Sequence, residues 1–450
     1  MPPVARKIGV GPTEKFRVAI ADDSRLIYSD DYRTGWKRGF EAIGCEVQIF
    51  DISVLRQLIS GSISSPYRST RMPGTAKQVA DNIARWKPNL VWCHHGRAAS
   101  NEDFQQRFRR DGIKTAVYLC DEPYESGETA RYSPRFQYVF TMDPCTIEAH
   151  RRSRKDRNNV FYLPPGVDVV HFARQPYAGR QIPAFFLGNA TLIPRLDWLK
   201  PVERLVDGAD IRFFKTVGKG DPKWVRLEDH PKFYGNCIVG LNVHRAPEIT
   251  NECFKKRVLG RPRQMNVPEG VELCRQMPKR EGTGFWNDGN LPASHVNPRF
   301  LEMAACGTCV VSDDHRSELA RMFPMAPRAA DPNHFVELVL YYLKHPDEAE
   351  KIGAACSYLI SKRHSYAHRA AEVLIRVGLM ALDREGPHSF LGEPEGYLNP
   401  QDLSLLLARS SSDPTGPSER WSPAYGMSLT STSGSPRESD SLDVPTPWLS

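Results

Sequence analysis

Short apolar runs alternate with amphipathic helical patterns along most of this 450-residue chain, and this alternation constrains the fold most. Buried parallel strands carry apolar residues on both faces, and the helices that connect them cover the sheet on either side. About six such runs occur between residues 16 and 168. The pattern predicts an α/β fold built on a doubly wound parallel sheet.

The alternation restarts after a polar, proline-bearing connection, so we expect a second domain of the same kind. The predicted units are, in order, a flexible N-terminus (1–15), a first Rossmann-like domain (16–170), a linker (171–183), a second Rossmann-like domain (184–365) with an insertion (246–293), a C-terminal helix (366–385) and a tail (386–450). One long helix is predicted over 331–364. The tail is rich in Ser and Pro and has few aliphatic residues to bury, so we expect it to be disordered.

Composition places the chain among globular proteins, with 40% hydrophobic and 25% charged residues, and excludes fibrous and wholly disordered classes. A net charge of +7 would attract phosphorylated ligands without requiring a nucleic acid. No run approaches the length of a membrane span, and the first residues lack an apolar signal-peptide core. We therefore expect no transmembrane segment and a cytoplasmic protein.

Open α/β sheets bind ligands at the carboxyl ends of their strands, and a helix start in the second domain carries suitable residues. Asn297 suits a helix cap and Pro298 suits the first turn, and such a helix N-terminus attracts phosphate. Arg299 opposes the helix dipole there, a cost that an anionic ligand would offset. Glu302 shares the face of Arg299 and is able to bind a ribose diol; an ordinary surface Arg/Glu pair is the alternative.

A second candidate site follows the strand that opens the second domain. Gly188 and Asn189 end this strand, where a glycine lets a diphosphate approach the backbone. A helix around Arg195 comes next. Lys215 closes the following strand and adds a cation at the same edge. A glycine at one strand–helix turn is weak evidence by itself.

In the first domain, His94 and His95 end a buried strand, and at least one should project into the cleft between the domains. The alternative is a histidine satisfied by backbone hydrogen bonds. Asp121 and Glu122 lie at the end of the neighbouring strand, where paired acids are able to accept sugar hydroxyls or a proton. A metal site formed by His94, His95 and Asp121 is a further alternative, although nothing in their spacing is specific for a metal.

Taken in order, these motifs resemble glycosyltransferases of the GT-B fold, most closely the CgeB-like (spore maturation protein CgeB) branch of the retaining group 1 transferases. The resemblance covers about residues 16–385 and rests on WKRGFEAIGCEVQIFD, NLVWCHHG, YLCDEP, FYLPPGVDVVHF, FFLGNATLIPRLDWL, IVGLNVHR, NPRFLEMAACGTCVVSDD and HSYAHRAAEVL. It implies two Rossmann-like domains that face a cleft.

The resemblance also implies a nucleotide-sugar donor, with a UDP-sugar expected, bound mainly by the second domain. The implied donor-binding residues are Gly188, Asn189, Arg195, Lys215, Asn242, His295, Asn297, Arg299 and Glu302, with Glu302 on the ribose. His94 would lie beside the reacting sugar, with Asp121 and Glu122 on the acceptor side. Ser294 departs from the pattern, because many group 1 transferases have a glutamate there; His295 is its possible replacement. No metal and no other cofactor is expected.

The resemblance thus implies a transferase that moves a sugar from a nucleotide diphosphate to a hydroxyl acceptor, with retention. The acceptor stays open between a glycan, a protein, a small molecule and modified DNA. Three other functions stay open as well. The chain could be a sugar-nucleotide epimerase-like enzyme, a protein that modifies nucleic acid through basic clusters at 151–157 and 254–263, or a catalytically inactive sugar-binding module or scaffold.

Overall fold

The strands in the described part of the chain form two fully parallel sheets, which confirms the predicted pair of Rossmann-like α/β domains. The computed structural model describes residues 15–22, 29–55, 75–189, 195–214, 222–244 and 291–380. Nearly all of the predicted N-terminal segment, most of the insertion and the whole tail lie outside these residues. None of the described helices combines the length and the apolar character that a membrane span requires.

The first sheet has six strands in the spatial order β2-β1-β3-β4-β5-β6. These are β1 (Arg17–Asp22), β2 (Glu46–Asp51), β3 (Leu90–His94), β4 (Lys114–Leu119), β5 (Tyr138–Thr141) and β6 (Val160–Tyr162). Its described helices are α1 (Ser29–Ala42), α2 (Thr75–Arg85), α3 (Glu102–Arg110), α4 (Ser126–Tyr132) and α5 (Ile147–Arg152). All six strands lie at the predicted apolar runs, because each run is buried between helical layers.

The second sheet has five strands in the order β11-β10-β9-β7-β8. These are β7 (Ile182–Asn189), β8 (Asp210–Phe214), β9 (Cys237–Asn242), β10 (Cys309–Asp313) and β11 (Arg328–Ala329). Its described helices are α6 (Arg195–Leu205), α7 (His230–Asn236), α8 (Pro298–Ala305), α9 (Ser317–Met322), α10 (Pro332–Lys344) and α11 (Pro346–Arg363). The two-residue edge strand β11 was not predicted.

The long helix predicted over 331–364 is wrong in one respect, because the structure divides it into α10 and α11. The break falls at His345, immediately before Pro346. A proline lacks the N–H that an interior helical position needs, and its ring disfavours the helical conformation of the preceding residue. Pro346 instead begins α11, a position that tolerates a missing N–H.

The last helix, α12 (Tyr366–Arg376), returns to the first domain and packs against α1. The backbone N–H of Tyr366 donates a hydrogen bond to the carbonyl of Val167 at 3.0 Å. The segment that leaves the first domain at Val167 and the segment that returns to it at Tyr366 therefore lie side by side. A Cβ added to Gly39 of α1 would lie 2.6 Å from the Tyr366 backbone, so only a glycine permits this approach. The C-terminal helix therefore completes the core of the first domain, beside Trp36 and Phe40.

Candidate functional site

His94 ends β3, whose five residues are all buried, and its own side chain is only 9% exposed. The Tyr32 ring of α1 lies 4.6 Å from the His94 ring, and the His95 ring lies at the same distance on another side. Burial, reinforced by His95, holds the pKa of His94 well below its usual value. The imidazole of His94 is therefore neutral at neutral pH, the form that accepts hydrogen bonds.

His95 links the ends of β3 and β4. Its backbone is left-handed, with φ of 60°, which turns the chain sharply after the strand. Nε2 of His95 lies 3.1 Å from the Cys120 sulfur, and Nδ1 lies 3.6 Å from a carboxylate oxygen of Asp121. The structure thus brings His94, His95 and Asp121 together, as the strand-end argument predicts.

Glu122 is turned away from this group. Its carboxyl is fully buried, accepts a hydrogen bond from the Thr129 hydroxyl and lies 3.4 Å from Nε2 of His150. Asp121 stays half-exposed, whereas its neighbour Glu122 is enclosed. The predicted role of Glu122 on the acceptor side is therefore unsupported, since a sugar hydroxyl has no access to it.

In the second domain, α8 begins as the sequence predicts. The Asn297 side chain caps the helix by accepting a hydrogen bond from the backbone N–H of Arg299 at 3.0 Å, and Pro298 occupies the first turn. The Arg299 guanidinium donates a hydrogen bond to the carbonyl of Leu187 near the end of β7. This contact brings the cation and the helix start to the same strand end.

Gly188 lies at the point where β7 meets Arg299. A Cβ added there would lie 2.4 Å from the Phe186 ring and 3.2 Å from Nη1 of Arg299. Any larger residue would displace the ring, so the site needs glycine. Asn189 is the last residue of β7, but its side chain lies outside the described part of the chain, as does Lys215 entirely.

Glu302 lies one turn into α8 and faces the first domain. Burial raises the pKa of Tyr32 well above its usual value, and the carboxylates of Glu302 and Asp121 are among the further causes. The charges of one carboxylate from each domain therefore act on Tyr32, which lies beside His94.

Two predicted donor-binding residues are buried within the second domain. Arg195 begins α6, is 5% exposed and donates from Nε to the carbonyl of Val243 at 2.8 Å. Asn242 ends β9 and donates to the Ser312 hydroxyl at 2.9 Å. These contacts argue against phosphate binding by Arg195 and donor binding by Asn242. The Arg195 side chain instead connects α6 to the residue that follows β9, and the Asn242 side chain connects β9 to β10.

His295, also predicted to bind the donor, is engaged by a carboxylate of the first domain. Asp143 accepts hydrogen bonds from the backbone N–H and hydroxyl of Ser294 at 2.8 and 2.5 Å, and from the backbone N–H and Nδ1 of His295 at 3.1 and 2.9 Å. Burial alone would raise the pKa of Asp143, but the hydrogen bonds from His295 and Ser294 outweigh it and hold the pKa well below its usual range. Asp143 was not predicted, although it follows β5 just as His94 ends β3.

A second buried pair was also missed, at the ends of β9 and β10. Nδ1 of His244 lies 2.6 Å from a carboxylate oxygen of Asp313, and the backbone N–H of His244 donates to the other oxygen. Burial lowers the pKa of His244 to about 4, so its ring is neutral at pH 7. Sequence signals for this pair are weak, because His244 and Asp313 are 69 residues apart.

Residues 289–375 match a family model described as glycosyl transferase-like. Among solved structures, the chain is similar to a glycosyltransferase from Rickettsia africae (11% identity, 80% of this chain and 97% of that chain, TM-score 0.44). It is also similar to HepE from Anabaena in complex with UDP-glucose (11% identity, 80% and 99%, TM-score 0.45) and to sucrose-phosphate synthase from Thermosynechococcus elongatus (11% identity, 80% and 97%, TM-score 0.45). No curated protein matches the chain.

The matched segment begins before α8 and ends in α12, so it includes Asn297, Arg299 and Glu302. The family match therefore supports the predicted resemblance to glycosyltransferases where the donor was expected to bind. Residues 289–375 of this chain are glycosyl transferase-like in sequence.

Proposed function

We propose that the protein is a cytoplasmic glycosyltransferase of the CgeB-like branch, which transfers a sugar from a UDP-sugar to a hydroxyl acceptor with retention. The observation that carries this proposal is the placement of Arg299 and Glu302 on a capped helix start of a glycosyl transferase-like segment. The charge of Glu302 acts on Tyr32, whose ring lies 4.6 Å from the ring of His94.

The donor would lie against the second domain. The helix start at Asn297 offers partial positive charge, and the Arg299 guanidinium lies at the end of β7 next to Gly188. Glu302, three residues into the same helix, is an acceptor-only carboxylate suited to a pair of ribose hydroxyls. We propose that these groups hold the diphosphate and ribose without a metal ion.

Transfer breaks the bond between the anomeric carbon and a diphosphate oxygen and forms a bond to the acceptor oxygen, while the proton of the acceptor hydroxyl passes to the leaving diphosphate. Negative charge grows on the leaving diphosphate, and fixed positive groups such as Arg299 stabilise it. On the acceptor side, the neutral His94 ring would accept a hydrogen bond from a sugar hydroxyl, and Asp121 is exposed enough to contact the acceptor.

A thermal-shift screen of the purified chain against UDP-, GDP-, dTDP- and ADP-sugars tests the donor. We expect UDP-sugars and free UDP to raise the melting temperature without added metal, because a ligand that binds only the native state stabilises it. Stabilisation by a different nucleotide would correct the base. No shift with any nucleotide would contradict the proposed function and favour a nucleic-acid or scaffold role.

Replacing Glu302 with alanine is expected to weaken UDP binding by about 10- to 150-fold, the value of a hydrogen bond to a charged group, about 1.5–3 kcal/mol. Isothermal titration calorimetry would measure the dissociation constant. Glu337→Ala, at an exposed position of α10, serves as the matched control and should bind UDP normally. Wild-type affinity in Glu302→Ala would exclude the ribose contact.

A further inference from the structure

Two imidazoles and a thiol converge at the carboxyl ends of β3 and β4. One ligand atom from each of His94, His95 and Cys120 lies within 4.8 Å of the other two. Nε2 of His95 lies 3.1 Å from the Cys120 sulfur. A tetrahedral zinc site, with Zn–S of about 2.3 Å and Zn–N of about 2.0 Å, separates sulfur from nitrogen by about 3.5 Å. The distance between His95 and Cys120 is therefore close to that expected for two ligands of one ion.

The surroundings of His95 resemble those of a metal-binding histidine. Its Nε2 and Nδ1 lie 3.1 and 3.4 Å from the Cys120 sulfur, and Nδ1 also lies 3.6 Å from a carboxylate oxygen of Asp121. Metal-binding histidines commonly turn their second nitrogen to a carboxylate, which fixes the ring and raises its basicity. The Tyr132 hydroxyl donates a hydrogen bond to the backbone carbonyl of His95 at 2.6 Å, which fixes the backbone at this residue.

His94 supplies a second, independent observation. Its Nε2 is buried and has no hydrogen-bond partner among the described residues. Buried polar atoms of native proteins nearly always have a partner, so an unsatisfied nitrogen within a group of potential ligands needs an explanation. A metal ion bound between these side chains would explain why Nε2 of His94 has no hydrogen-bond partner among the described residues.

We propose that His94, His95 and Cys120 bind one divalent transition-metal ion, with a preference for Zn²⁺, and that Asp121 orients His95. A thiolate with two imidazoles suits zinc and does not suit Mg²⁺ or Ca²⁺, which prefer oxygen ligands. Three protein ligands leave a fourth position for water or an acceptor oxygen. Because all three ligands belong to the first domain, the ion would be distinct from the positive groups that we propose for the donor diphosphate. The site goes beyond the proposed function and would change one contact in it, because a metal-bound His94 ring has no free acceptor nitrogen. The acceptor oxygen would then bind the ion and not the His94 ring.

Titration of the metal-free, full-length protein with Co²⁺ tests the site by absorption spectroscopy. We expect one equivalent of Co²⁺ to produce a thiolate-to-cobalt charge-transfer band, which Zn²⁺ removes and excess Mg²⁺ leaves unchanged. Cys120→Ser should abolish the band. Cys145→Ser is the matched control, because Cys145 is the only cysteine in the described part of the chain that is not buried, and this variant should keep the band.

A second variant keeps the test decisive if Cys120→Ser fails to fold. The His95 side chain is 27% exposed, so His95→Gln removes a ligand without emptying the core, and it should weaken Zn²⁺ binding at least about tenfold. Three results would overturn the proposal: no band in the wild-type protein, the same band in folded Cys120→Ser, or wild-type Zn²⁺ affinity in His95→Gln. Since the readout is metal binding, failure here leaves the donor experiments unaffected.

Discussion

Replacing Asp143 with alanine is expected to lower the free energy of unfolding by about 3–5 kcal/mol, the usual cost of removing one partner of a buried charged pair. The change removes the acceptor of the backbone N–H and hydroxyl of Ser294. It also removes the acceptor of the backbone N–H and Nδ1 of His295, which is buried. Because these donors belong to the second domain, the contact between the domains should weaken as well. Urea denaturation would measure the loss of stability.

Asp314→Ala is the matched control for this variant. Its carboxylate pairs with Arg328 at 3.0 Å but is 53% exposed, so the loss should stay below about 1 kcal/mol. A similar loss of unfolding free energy in both variants would show that the buried hydrogen bonds of Asp143 stabilise the protein no more than an exposed ion pair does. The pKa of Asp143 is lowered on folding, so its contribution is present at neutral pH and disappears only as the pH falls through that lowered value.

Replacing His94 with alanine should reduce kcat by about 10²- to 10⁴-fold, the usual contribution of a positioned proton-transfer or hydrogen-bonding group. Donor affinity should stay within about twofold of wild type, since the proposed donor contacts belong to the second domain. Steady-state kinetics and calorimetry with UDP would separate these two quantities. The expectation rests on the neutral, buried ring of His94 beside Tyr32.

His345→Ala is the control for this substitution, because its side chain is exposed at the break between α10 and α11. It should leave kcat and donor affinity unchanged. If His94→Ala retained wild-type turnover, the chemistry would have to be carried by other residues of the cleft. A parallel loss of UDP affinity would place His94 on the donor side instead.

The fold was predictable because burial on both faces imposes an apolar run on every parallel strand. The strands of both sheets therefore appeared in the sequence, except for the two-residue strand Arg328–Ala329, which is too short to form a pattern. The helix break at Pro346 was missed because the apolar pattern continues on both sides of it. The partner of α12 was not predictable, since amphipathicity shows that a helix packs but not on which surface.

The candidate site was predictable at the level of strand ends but not of side-chain direction. His94 and Asp121 lie where the strand-end rule expects them, whereas Glu122 and Arg195 face inward and form other contacts. Glu122 lies in a turn and Arg195 begins a helix, and the sequence alone does not reveal which side of such a segment is open. Asp143 was missed because its partners are about 150 residues away.

The return of α12 to the first domain affects the order in which the chain can fold during synthesis. The first domain begins at its first strand, yet one layer of its core, around Trp36 and Phe40, is completed only when residues 366–376 have been made. Until then, the apolar face of α1 that receives Tyr366 is exposed. A nascent chain from which the first sheet, but not α12, has emerged from the ribosome therefore exposes an apolar surface that lacks its packing partner. Such a surface recruits chaperones or promotes aggregation. Ribosome-bound chains that end before and after α12 should accordingly differ sharply in protease resistance.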